Sequence, residues 1–344
     1  MRCAVVGGGI IGLAVAWRLA RRGVDVTVYD PVSLAASAGG AGGAWWVAAG
    51  MLAPGGESVY EKPALAALLA ESARRWPGFA RELTADTGHD LGYDDAGTLS
   101  VALTADDVAE ASRAWRRQRL TPTVLRDLEP ALSPRIRAGV HAPADHQVDP
   151  RRVVAALRAT GVPVVPQHVD DLGRLDADRV IVAAGMGAAA LTGLPVRPVK
   201  GQLLRLRGEP GLLRHVISGY VDGRHVYLVP RADGDIVVGA TQEERTDHTV
   251  TAGGVLDLLR AAVDLVPALA ELELAETLVG HRPATPDNAP LLGWLDARTV
   301  VAAGHHRNGV LLAPLTADLV ADLVVSGEAH PLLAAFDPGR FTCN

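Results

Sequence analysis

The chain has 344 residues and a mass of 35.9 kDa, room for about two ordinary domains at roughly 150 residues each. Its 49% hydrophobic and 21% charged residues describe a globular protein and exclude a disordered or collagen-like one. The net charge of −6 argues against bulk attraction to nucleic acid, and with only two lysines, Lys62 and Lys200, there is no polybasic tract for acidic lipid.

In chain order, Cys3-Ala4-Val5-Val6 is a short branched apolar run, the pattern of a strand buried on both faces. No charged leader precedes it, so no targeting segment is expected. Gly7-Gly8-Gly9-Ile10-Ile11-Gly12 follows, then a helical stretch to Arg22 closed by Gly23, then a strand from Val24 to Tyr29 ending on Asp30. This is a βαβ unit of the dinucleotide-binding type. Residues 31–47 are rich in Gly, Ala and Ser and predict a loop, and Pro63 to Leu83 and Ala105 to Arg119 predict helices. Asp149 is a helix cap with Pro150 in the first position of a helix to Thr160. Arg179 to Ala184 is a strand running into Ala184-Gly185-Met186-Gly187. From Val196 to Gly239 the texture changes to antiparallel strands over 202–206, 224–229 and 235–238, with Ala232-Asp233-Gly234 turning between the last two. Thr299 to Ala303 is a strand, 304–309 a loop and Val310 to Val325 a long helix. Asp318 and Asp322 interrupt that stretch, leaving no clean membrane span of ~20 residues, and a cytoplasmic protein is expected.

The order predicts an α/β fold. A Rossmann-like nucleotide-binding domain takes residues 1–60, 140–195 and 281–344. An inserted, mainly antiparallel β substrate domain flanked by helices takes 61–139 and 196–280.

Each glycine of Gly7-x-Gly9-x-x-Gly12 has its own task. The first permits the tight turn, the second lets backbone approach a pyrophosphate, and the third lets helix and strand pack closely. The helix then offers free N–H groups and the positive end of its dipole to phosphate. Asp30, 18 residues after Gly12, stands where an acid binds a ribose hydroxyl and disfavours a 2′-phosphate. NADP is therefore disfavoured, while FAD and NAD both remain open from this unit alone. Cys3 and Cys343, at opposite ends, make neither a disulfide framework nor a zinc spacing. Asp145-His146 and Asp247-His248 lack a third partner and are expected in solvated loops, and no metal site is expected.

The segment Trp45-Trp46-Val47-Ala48-Ala49-Gly50-Met51-Leu52-Ala53-Pro54, taken with the glycine fingerprint, resembles the D-amino-acid-oxidase-like flavoenzymes. Three further blocks are similar to the glycine oxidases of thiamine biosynthesis within that family. They are Val199-Lys200-Gly201-Gln202; Tyr227-Leu228-Val229-Pro230-Arg231 running on to Val238-Gly239-Ala240-Thr241; and Gly280-His281-Arg282-Pro283 followed by Pro290-Leu291-Leu292-Gly293 and Gly304-His305-His306-Arg307-Asn308-Gly309-Val310-Leu311-Leu312-Ala313-Pro314. The family usually has Ser or Thr before the Ala-Gly-Met-Leu segment. Here Ala44-Trp45-Trp46 stand there, and the nearest hydroxyl is Ser37. The paired tryptophans predict a packed loop, and His306 stands where the family often has Phe or Tyr.

The resemblance implies a Rossmann-like FAD-binding domain. Gly7, Gly9, Ile10, Ile11 and Gly12 fall at the phosphate turn, Asp30 and Pro31 at the ribose, and Val169 where backbone meets the adenine. Ala44, Trp45, Ala49, Gly50 and Met51 fall beside the flavin, Gly185 follows the strand from Arg179, and His305, His306, Arg307, Asn308, Gly309, Val310 and Leu311 close over the ring. That loop feeds a helix N-terminus, whose positive end suits the charge of a reduced flavin. With both cysteines remote from the ring, FAD is expected to bind noncovalently.

Arg282 and Tyr227 are the substrate candidates. Oxidation at Cα requires the C–H held about 3–3.5 Å from its acceptor, and a guanidinium can grip the carboxylate bidentately. Arg307 is a second cation, and His225 a weaker candidate on the face of Tyr227. The implied reaction is oxidative deamination of glycine, sarcosine or D-alanine to the imine and 2-oxo acid, with ammonia and hydrogen peroxide, O2 as acceptor and a homotetramer as the assembly. A D-amino-acid, sarcosine or proline oxidase or dehydrogenase of the same fold is the alternative, and a non-catalytic flavin subunit another.

Overall fold

The computed structural model describes residues 1–31, 42–55, 62–115 and 117–341; Ser37 and Cys343 lie outside them. The amino-terminal apolar run becomes the strand Arg2–Val6, buried beyond its first residue and central in a six-stranded sheet. Asp25–Tyr29 and Arg179–Val182 flank it in parallel, Val164–Val165 and Thr299–Ala303 continue the parallel set outward, and Leu291–Trp294 closes one edge antiparallel. Parallel strands covered on both faces need continuous apolar sequence, and Val5, Val28, Ile181 and Val300 are fully buried.

The helix Gly309–Ser326 carries almost no polar stripe, and its position accounts for that. It lies in the core between the helices Ile10–Arg21 and Pro63–Thr87. By length and composition it is apolar enough to cross a bilayer, but here that surface is covered by protein. Ser72 Oγ and Trp76 Nε1 both donate to the Leu311 carbonyl, at 2.7 and 2.9 Å. The Pro63–Thr87 helix, expected in the substrate domain, therefore packs on the nucleotide-binding core. Its buried stripe of Leu65, Leu68, Leu69, Ser72, Trp76, Phe79 and Leu83 has the helical period and meets the C-terminal helix.

The second sheet has seven strands in the order Glu273–Ala284, Arg197–Arg207, Asp235–Gly239, Arg224–Pro230, Val216–Val221, Thr98–Ala102, Ala138–Ala142. All neighbours are antiparallel except Val216–Val221 with Thr98–Ala102. Two strands run through the expected boundaries: Ala138–Ala142 crosses 139/140, and Glu273–Ala284 crosses 280/281. Each is one hydrogen-bonded element, so the chain leaves this sheet later than composition suggested. The helix Ala252–Leu265 covers one face through Leu258, Ala262 and Leu265 against Leu204, Leu206 and Leu228. On the other face Leu203, Val229 and Val237 meet Ala49, so this sheet rests on the glycine-turn domain along the segment after the tryptophans.

Candidate active site

The glycine turn is shaped by close approach. Gly7 has φ +113°, and a Cβ there would come within 2.3 Å of the Ala183 carbonyl oxygen. A Cβ on Gly12 would come within 1.9 Å of the Gly7 carbonyl oxygen. These residues let turn, strand and helix close on one another, and Gly12 acts there, behind the cavity wall. Gly9 begins the helix Ile10–Arg21 with no side-chain cap, so the first N–H groups and the positive helix end are left for a ligand. Asp30 Oδ2 accepts from the Gly8 N–H at 2.5 Å, which ties the end of the second strand to this turn.

A cavity of about 670 Å³ opens from the turn. Apart from Gly12, every expected cofactor and substrate residue lines it. Gly7, Gly9, Ile10, Ile11, Asp30, Pro31 and Val169 form one end, and Tyr227, His225, Arg282 and the loop from His305 to Leu311 the other. The residues from Ala44 to Met51 lie along it. Ala44–Val47 is a turn of 3₁₀ helix, and its tryptophan rings meet edge to face with centres 5.6 Å apart. Trp45 is buried and lines the cavity; Trp46 lies under the Arg151 guanidinium, 3.9 Å from its ring centre. Sequence reasoning missed Gln167, His168 and Asp170 beside Val169, and Arg158 across from Trp45.

Ala49-Gly50-Met51 is held from behind. Gly50 has φ +81°, and a Cβ there would come within 2.0 Å of the Val148 carbonyl oxygen. Met51–Leu52 pairs with His146–Gln147. The buried Arg231 donates to the Ala49 carbonyl, to the Val148 carbonyl at 3.0 Å and to Gln147 Oε1 at 2.8 Å. Burial pushes this guanidinium down to about 10. Arg231 closes a motif quoted above, and its position after a Pro on a buried strand was the available signal.

Arg282 lies on strand Glu273–Ala284, and its Nη1 donates to the Thr241 carbonyl at 3.2 Å and the Lys200 carbonyl at 3.4 Å. The guanidinium rests over Gly201, where a Cβ would come within 2.5 Å of Nη1. A glycine inside a strand signals such an approach. Tyr227 likewise sits over Gly239, with a hypothetical Cβ 2.4 Å from its hydroxyl. Ser218 Oγ and His225 Nε2 are 2.8 Å apart. Burial, then the charge of Arg307, pushes His225 down to about 4; burial, then Arg307 and Arg282, takes His306 to about 3. His305, 3.2 Å from Thr316 Oγ1 through Nε2, falls to about 3 by burial. All three imidazoles are neutral at pH 7. Among the described residues this end of the cavity thus brings two guanidiniums together with neutral imidazoles and the amino end of Gly309–Ser326, an arrangement that suits an anion.

Of the Asp-His pairs expected in solvated loops, Asp145-His146 is more enclosed, whereas Asp247-His248 lies in a loop with His248 exposed. Asp145 is buried, which pushes its carboxyl up to about 6, and His146 Nδ1 meets the Tyr93 hydroxyl. Asp247 accepts from Lys200 Nζ at 2.8 Å and Arg245 Nε at 2.7 Å, and the Lys200 bond above all holds it well below the carboxylate range. His248 stands edge-on to His281 with ring centres 4.5 Å apart. Among the described residues no group of three His, Cys, Asp or Glu side chains is arranged to hold a metal ion.

A family model described as FAD dependent oxidoreductase (DAO) matches residues 2–323. The Bifunctional protein ThiO/ThiG of Synechocystis sp. is 37% identical over 363 residues, covering 98% of this chain and 53% of that protein. The chain thus spans about half the length of such bifunctional relatives. The Glycine oxidase of Geobacillus kaustophilus is 34% identical over 372 residues, covering 98% of this chain and 96% of that protein. A crystal structure of glycine oxidase from the same organism superposes with a TM-score of 0.88 at 33% identity, covering 99% of this chain and 100% of that one.

Proposed function

The chain belongs to the DAO family of FAD-dependent oxidoreductases, and from that premise we propose that it oxidatively deaminates glycine and comparably small amines. The products are the imine and then the 2-oxo acid, with ammonia and hydrogen peroxide, and the imine of glycine supplies the thiazole branch of thiamine biosynthesis. Its relatives named glycine oxidase and ThiO support this reading. The observation that carries it is the joining of a dinucleotide turn and a guanidinium clamp in one cavity.

The residues present fit FAD: glycines where a Cβ would collide, an uncapped helix start, an acid at the ribose position and neutral imidazoles at the far end. Gly7, Gly9, Ile10 and Ile11 hold the diphosphate, Asp30 and Pro31 the ribose, and Val169 the adenine. Ala44, Trp45, Ala49, Gly50, Met51 and Gly185, with the loop from His305 to Leu311, enclose the rest. When bound, FAD supplies the two-electron acceptor for the substrate Cα–N bond and passes the electrons to O2. Arg282 holds the substrate carboxylate bidentately, Tyr227 adds a hydroxyl donor, and Arg307 contributes positive charge. The neutral His225 and His306 leave the substrate amine its lone pair without a competing cation. No protein base is required, because the substrate ammonium needs only to lose its extra proton before reaction. Cys3 is buried in the first strand, and burial pushes its thiol up to about 11, which supports noncovalent attachment. A cytoplasmic homotetramer completes the proposal.

A peroxide-coupled substrate screen tests it. Glycine, sarcosine and D-alanine are expected to turn over and bulky D-amino acids poorly; faster turnover of D-phenylalanine than of glycine would refute the small-substrate assignment. Acid precipitation is expected to release the flavin intact as FAD.

A further inference from the structure

We propose that Arg158 is a binding residue for the diphosphate of the bound dinucleotide, an inference that rests on the family's FAD. Among the described residues three arginines line the cavity, Arg158, Arg282 and Arg307, and no lysine does. Arg282 and Arg307 belong to the Tyr227 end. Arg158 is the cation of the glycine-turn end.

Its location follows from Trp45. The indole lies against the turn, with Cδ1 3.5 Å from where a Cβ on Gly9 would be. The Arg158 guanidinium carbon is 5.9 Å from the Trp45 ring centre. Arg158 ends the helix Pro150–Arg158, whose buried side packs on the helix that starts at the turn. Trp45 therefore bridges the arginine and the diphosphate position.

Its bonding is incomplete. Among the described residues Arg158 makes no hydrogen bond and no ion pair, and its buried Nε has no partner. Elsewhere in this chain arginines readily find carboxylates, as Arg151 does with Glu276 at 2.8 Å and Arg75 with Asp318 at 2.7 Å. Asp30 and Asp170 line the same end of the cavity, yet Arg158 pairs with neither. A half-buried guanidinium left without acceptors loses hydration for no return, and a planar fork suits phosphate oxygens. Among the described residues, Gly7, Gly8, Gly9, Ile10, Ile11 and Ala44 form the wall here and bring no side-chain hydroxyl and no charge. Helix N–H groups leave most of a diphosphate's charge uncompensated, and Arg158 supplies a cation at this end.

The test follows FAD release from diluted holoenzyme by flavin fluorescence, alone and with ADP or adenosine competing for the site. Arg158→Met keeps the apolar stem against Trp45 and removes the charge; Arg158→Lys restores a point charge. The proposal expects Arg158→Met to weaken FAD and ADP by about ten- to a hundredfold, to leave adenosine unchanged, and Arg158→Lys to recover part of the loss. Should Arg158→Met fail to fold, Arg158→Gln carries the same comparison. Unchanged FAD affinity overturns the proposal. Equal losses for ADP and adenosine also overturn it, because they mark a packing role. A wild-type protein that retains no FAD fails earlier and overturns the cofactor assignment along with it.

Discussion

On the proposed reading Arg282 is the clamp for the substrate carboxylate. Its guanidinium touches two carbonyl oxygens behind it and lies over a residue with no side chain. Loss of a bidentate, charge-assisted pair costs about 3 kcal/mol, or roughly a hundredfold in kcat/KM. Arg282→Ala is expected to raise KM for glycine and sarcosine steeply while the bound-flavin spectrum stays the same. Arg282→Lys recovers only part, since an ammonium lacks the planar fork. Steady-state kinetics decide the point, and unaltered glycine kinetics in the alanine variant would move the clamp to Arg307. The buried titratable groups set a second expectation. His225 is depressed to about 4, and His305 and His306 to about 3. Below the ordinary histidine value of about 6.5 the unfolded chain therefore binds protons that the folded chain refuses. Stability is complete above that value and is lost as pH falls toward 4. Asp145, raised to about 6, acts in the opposite sense, its contribution being lost as pH rises through 6. His141 and His281 are lowered by burial in the same sense, so five groups oppose one, Tm is expected to rise from pH 5 to pH 7, and Asp145→Asn to steepen that rise. A Tm that fell over this interval would contradict the burial of these imidazoles.

Between elements, the Leu311 carbonyl joins the Pro63–Thr87 helix to the first turn of Gly309–Ser326, next to the loop that closes the cavity. Trp76→Phe keeps the aromatic packing against Phe79 and removes one of two donors to that carbonyl. A loss of about 1 kcal/mol is expected, a Tm decrease of roughly 2–4 °C, with KM for glycine unchanged. A thermal melt beside the kinetics checks both halves. This helix also shows what a sequence conveys at the element scale. Its apolar stripe announces a buried face without saying against what. The βαβ unit was legible because glycines, strand and acid follow one another within thirty residues. The strand Thr98–Ala102 was not, because its parallel partner Val216–Val221 is far away in sequence and no turn connects them. Candidate site residues carried in contiguous blocks were found together. Arg158 and Arg231 were not legible because a single arginine at the end of a helix or just past a strand resembles a surface charge until burial is known.

Across the whole molecule, two sheets do different work and meet at one cavity. The six-stranded sheet supplies a backbone turn and a helix end, both suited to phosphate. The seven-stranded sheet supplies Tyr227 and Arg282, both suited to a carboxylate. On the proposed function their junction, held by Arg231 and by the pairing of Met51–Leu52 with His146–Gln147, sets how far the substrate Cα stands from the cofactor. A misplacement of 1 Å there can cost about a hundredfold in rate. Anaerobic mixing of the purified yellow protein with glycine tests the central claim most directly, because it needs electron transfer from a small amino acid to the bound flavin and nothing else. The account predicts that glycine bleaches the flavin absorbance and that admitting O2 restores it with release of peroxide. Flavin that keeps its oxidised spectrum with glycine, sarcosine and D-alanine alike would contradict it.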